Sequence, residues 1–178
     1  MTRSYRLGRR QPAVDATRRS IVNAARQLVQ ERPSAEVSVA QIARRAGVAR
    51  ITVYNRFGSR DGLLASLVAP GTETAPSEGG DPREALRRHL AAACSRWAAE
   101  PALFRNLPSP PEDGRARLLA ERLAARDMLR PGCSLREAED VIAALSSFAV
   151  FDRLHHDGRR QPTAVADVMM RLAAGILA

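Results

Sequence analysis

Residues 38–64 read SVAQIARRAGVARITVYNRFGSRDGLL, and the fold turns on this string. Ser38 opens it as an N-cap, with Gln41 three residues on to complete a capping box. Ile42, Ala43 and Ala46 then share one face of a short helix. Gly47 stands where a left-handed residue ends a helix without a Cβ penalty. A second short helix covers roughly Arg50 to Phe57, and Ser59 caps a third that carries Leu63, Leu64 and Leu67. Two short helices joined through Ala46-Gly47-Val48 make a helix-turn-helix pattern. The side chains suit it. Ala43 is small enough for the helices to cross closely, and Val48 and Val53 fill the space between them. Arg50, Ile51, Thr52, Tyr54, Asn55 and Arg56 are left mostly outward. The competing reading of Tyr54 is a core residue, whose hydroxyl would then need a buried partner.

Upstream, Asp15 is an N-cap candidate for a helix to about Glu31, with Ile21, Ala24, Ala25, Leu28 and Val29 on one face. Residues 1–14 are basic, carry Gly8 and Pro12, and read as a flexible arm. Residues 1–60 hold thirteen Arg against Asp15, Glu31 and Glu36, a net charge of +10, while the whole chain of 178 residues carries +9. All the excess positive charge therefore sits in the first third, which points to a polyanionic partner, DNA before membrane.

Downstream, residues 70–81 (PGTETAPSEGGD) read as a loop, and Asp81-Pro82-Arg83-Glu84 starts a helix with Leu86, Leu90, Ala93, Cys94 and Trp97 inside. A second loop at 108–114 leads to a helix from about Arg115 to Leu129. Ser134 with Glu137 starts a long helix to about His156, and a last one runs over 162–177. Their apolar stripes include Val141, Leu145 and Phe148 on one and Val168, Met169 and Leu172 on the other. Two such helices from each of two copies can close a four-helix bundle, so a homodimer is expected. Ala- and Leu-rich composition, 4% aromatics and the absence of any strand pattern make the chain all-α. The expected division is an arm at 1–14, a DNA-binding domain at 15–68 and a helical body at 69–178.

The string at 38–64 resembles the tetracycline-repressor (TetR) family. The resemblance rests on Ser38, Ile42-Ala43, Ala46-Gly47-Val48, Thr52-Val53-Tyr54, Phe57, Ser59-Arg60 and Leu63-Leu64. It implies an N-terminal three-helix DNA-binding domain, a C-terminal ligand-binding and dimerisation domain, and a repressor released from operator DNA by a small-molecule effector. It implies that Thr52, Tyr54 and Arg60 hold phosphates, that Arg50 and Ile51 face base edges, and that Ser38 meets the backbone. By the same analogy the effector pocket lies among the middle helices, at Trp97, Phe104, Leu119 and Leu123. Three positions depart from the pattern. Ala49 replaces a capping Ser, Ile51 replaces a small residue, and Gly62 sits early in the third helix, where it reads as a tolerated glycine.

Other classes find little support. No phosphate-cradling glycine loop, nucleophile elbow or paired catalytic motif is present, so an enzyme is not expected. His89, His155 and His156 lack companion ligands, so neither metal nor cofactor is expected. Cys94 and Cys133 read as reduced thiols of a cytoplasmic protein, and no signal peptide or membrane span is apparent. The alternative within DNA binding is a constitutive or architectural protein without a ligand.

Overall fold

The computed structural model describes residues 10–68, 80–108 and 114–178. Arg3, Arg6 and Arg9 of the basic arm, and the centres of both loops, lie outside the described residues. Contacts divide the chain into two compact units, Met1–Ala69 with Arg105–Pro108, and Pro70–Phe104 with Ser109–Ala178.

In the first unit α1 (Arg10–Glu31) packs on α2 (Val39–Ala46) and α4 (Arg60–Leu67), and α3 (Arg50–Phe57) packs on both of these. Its helix begins before Asp15, which lies inside it and is not the cap. The expected face is buried: Ile21, Ala25 and Val29 are sealed, as are Ile42, Val53 and Leu63. Burying each Ile, Val or Leu side chain among them contributes about 1.5–3 kcal/mol, which helices of eight residues need because they are not stable alone. A 3-10 turn at Ser34–Glu36 leads into the capping box, in which Ser38 Oγ accepts from Gln41 N and Gln41 Oε1 accepts from Ser38 N. Gly47 closes α2 at φ 68°, the left-handed region that a side chain disfavours.

In the second unit the Asp81 carboxylate accepts from Arg83 N at the head of α5 (Pro82–Ala99). After α6 (Pro101–Asn106), α7 (Arg115–Ala124) stops five residues short of the expected Leu129. Asp127 there adopts φ 52°, and Met128 N donates back to Leu123 O. Leu129 instead pairs antiparallel with Leu177, through Arg130 N to Ile176 O and Ala178 N to Met128 O. That pairing also ends α10 (Pro162–Ala173) before 177.

The helix expected to run from Ser134 to His156 is broken. α8 (Leu135–Leu145) ends at Ser146, and Ser147 at ψ 144° caps α9 (Phe148–Asp152) by accepting from Val150 N. Ser147 Oγ also donates to Ala144 O at 2.7 Å, so one hydroxyl serves both helix ends. A π-helical turn, Arg153–Asp157, follows. Leu86, Leu90, Cys94, Trp97, Leu123, Ile142, Phe151, Val165 and Met169 form one continuous core. Among the described residues there is no strand and no helix long and apolar enough to cross a membrane.

Candidate nucleic-acid interface

The eight residues of α3 divide by their packing. Val53 turns inward and is 1% exposed, while Ile51 is 62% and Tyr54 47% exposed. Arg50, Asn55 and Arg56 are exposed and Thr52 is half-buried. Tyr54 therefore does not belong to the core. With Ala49 as N-cap, no side chain closes the start of α3, and Thr52 N donates to the Ala49 carbonyl instead.

Side-chain contacts with α1 hold α2 and α3 in place. The Arg18 guanidinium of α1 lies over the Phe57 ring, 4.7 Å from its centre. Ser20 Oγ donates to Ala46 O at the end of α2. Arg45 and Glu31 form a two-pronged ion pair at 2.6 and 3.2 Å, and the Arg45 hydrogen bond holds the Glu31 carboxyl below its usual range. Arg44 stays exposed. Sequence patterning missed Arg18 and Ser20 because their partners are distant in the chain.

Two expectations change. Gly62 is required: a Cβ there would lie 2.4 Å from Phe57 O, because α4 starts directly against the end of α3. Arg60, expected on DNA phosphate, turns toward its own unit. Its Nε donates to Val37 O at 2.9 Å, one Nη donates to Ser34 O, and the other lies 3.4 Å from Asp61.

In the second unit, Trp97, Leu119 and Leu123 are buried and Phe104 is half-buried. Trp97 and Phe104 both meet Phe148, with ring centres 6.2 and 5.7 Å apart, and Phe151 joins the cluster. A cleft of about 440 Å³ opens elsewhere, between Arg83 and Arg87 of α5 and Asp167, Met170 and Arg171 of α10.

The residues expected at a dimer interface separate into two groups. Leu145 and Met169 face the unit's own core, at 7% and 0% exposure, because Met169 packs toward α5, with its sulfur 3.6 Å from Cys94. Val141, Phe148 and Val168 are half-buried, and Leu172 is 55% exposed. His89 bonds Ser146 Oγ, His155 bonds Arg160 O and His156 bonds Asp157, and no metal-binding group occurs among the described residues.

Comparison with known proteins adds to this geometry. Residues 21–67 match the family model of bacterial regulatory proteins, tetR family. Over 108 residues, 55% of this chain, the sequence is 33% identical to the HTH-type transcriptional regulator EthR of Mycolicibacterium smegmatis, and the match spans half of that relative's length. NalD, the secondary repressor of the MexAB-OprM multidrug efflux pump in Pseudomonas aeruginosa, superposes with a TM-score of 0.67 at 23% identity, covering 92% of this chain and 98% of that one. The transcriptional regulator FadR of Bacillus subtilis, solved with stearoyl-CoA, gives 0.67 at 19% identity, covering 87% and 96%. At these identities the structural likenesses establish the shared fold.

Proposed function

We propose that this chain is a TetR-family regulator, a homodimeric, sequence-specific repressor that leaves its operator when a small molecule enters its helical body. The observation that carries the reading is α3. It anchors on Val53 and presents Arg50, Ile51, Tyr54, Asn55 and Arg56 to solvent, within a segment of net charge +10. An α-helix fits the major groove, where Arg pairs with guanine and an apolar side chain fits the thymine methyl. In this reading Arg50 and Ile51 approach base edges, Thr52 and Tyr54 hold phosphates, and the N-terminus of α2 at Ser38 receives another phosphate.

Dimerisation is assigned to the incompletely covered apolar side chains of α8–α10, Val141, Phe148, Val168 and Leu172, since a large apolar side chain such as Leu172 gains by being covered. The effector site is assigned to Trp97, Phe104, Leu119 and Leu123. Their apolar character suits a ligand with a substantial hydrocarbon part, and the FadR neighbour's stearoyl-CoA is a precedent.

Selection of duplexes from a random pool by the purified protein tests the reading. A recovered pseudo-palindrome supports it, with half-sites about one helical turn or a multiple apart. Recovery of unrelated sequences with equal affinity favours the architectural alternative.

A further inference from the structure

We propose that Arg60 is a positioning residue, which grips the peptide between Val37 and Ser38 and thereby sets the N-terminus of α2 against DNA. The inference rests on the reading of this unit as a DNA interface. Ser34 and Val37 are both buried, at 8% and 1% exposure, so their carbonyls need partners from the protein. Arg60 supplies the one for Val37, with Nε on Val37 O at 2.9 Å, and an Nη joins the Val37 N–H on Ser34 O. The remaining Nη faces Asp61.

The Val37 carbonyl shares its planar peptide unit with the Ser38 amide. That amide donates to Gln41 Oε1 at 2.7 Å and closes the capping box. Arg60 therefore holds one edge of the plane whose other edge starts α2. A charged donor on a carbonyl also polarises the amide across the same peptide and strengthens its bond to Gln41. The first amides of α2, with the positive end of its dipole, are among the groups this unit offers to a phosphate. Their direction follows from the plane that Arg60 fixes. Arg26 of α1 plays a parallel part at the other end of α4, donating to Leu67 O at 3.3 Å.

The Arg60→Lys and Arg60→Gln variants test this. Lysine keeps the charge but lacks the planar fork that spans two carbonyls. In the DNA-free protein, hydrogen exchange at the Ser38 amide should quicken about tenfold in both variants, the order expected for loss of a charge-assisted bond. On a duplex recovered by selection with the wild type, Arg60→Lys should lose about tenfold in affinity with an unchanged salt slope. Its effect and that of Ser38→Ala should be non-additive, because both act on one cap. A Lys variant that binds as the wild type does, with a Gln variant whose salt slope falls by about one, would make Arg60 a phosphate ligand and overturn the proposal. So would unchanged exchange at Ser38. If Arg60→Gln fails to fold, the Lys variant decides alone. Wild-type protein that binds no duplex overturns the DNA reading itself, and with it the positioning role on DNA; the exchange measurement separates that failure from the other.

Discussion

Ile51 combines a large apolar side chain with 62% exposure beside three exposed polar residues of α3, Arg50, Asn55 and Arg56. Val53 fills the core contact alone, so packing does not explain the bulk of Ile51. In the proposed reading a thymine methyl does. Ile51→Ala should relax preference at one base pair per half-site and leave the salt slope unaltered, as read by binding-site selection with the variant. An unchanged preference at every position would remove Ile51 from the base contacts. Cys94 makes a second residue-scale prediction. Burial pushes its thiol from an ordinary 9.0 up to about 11. Between these values the unfolded chain loses the proton while the folded chain keeps it, so the folded state binds more protons and stability falls as pH rises. Urea midpoints measured from pH 8.5 to 11 should decline more steeply for the wild type than for Cys94→Ala. Parallel declines would contradict the burial argument.

At the scale of elements, local signals were legible where one side chain serves its own helix. The Ser38–Gln41 box, the left-handed Gly47, the Ser59 cap and the Asp81-Pro82 start all stand where their residues imply. Features set by distant partners were not. Apolar spacing continues from Val141 through Phe151, which hid the break that Ser146 and Ser147 create. The end of α7 was missed because Leu129 is claimed by Leu177, 48 residues away. Arg60 carried no sign that buried carbonyls 23 and 26 residues upstream would occupy it. Gly62 belongs to the same class, since its constraint comes from the Phe57 carbonyl. Helix propensity alone predicts that Gly62→Ala stabilises α4 by about 1 kcal/mol. The 2.4 Å approach predicts the opposite, a loss of about 1–3 kcal/mol as the α3–α4 joint is forced apart. A lowered melting temperature for Gly62→Ala agrees with the joint, and a raised one refutes it.

At the scale of the molecule, charge and packing divide the work between two units. The first carries the excess of arginine and displays α3, and the second buries a long apolar core and keeps Leu172 outside. Leu172→Arg should therefore leave the protomer folded while sedimentation shifts from dimer to monomer at micromolar concentration. An unshifted dimer would move the interface elsewhere. Arg at Leu145 or Met169 would place a charge inside the core and disturb folding instead. The central claim is that α3 reads a sequence. Its most direct test is fluorescence anisotropy of the wild-type protein on a selected duplex and on a scrambled duplex of the same composition, each measured from 50 to 250 mM salt, a span chosen to be of the order over which phosphate contacts weaken binding. The account predicts that both affinities fall with salt, while the selected duplex binds on the order of a thousandfold tighter or more. Equal affinity for the two duplexes at every salt concentration would contradict it.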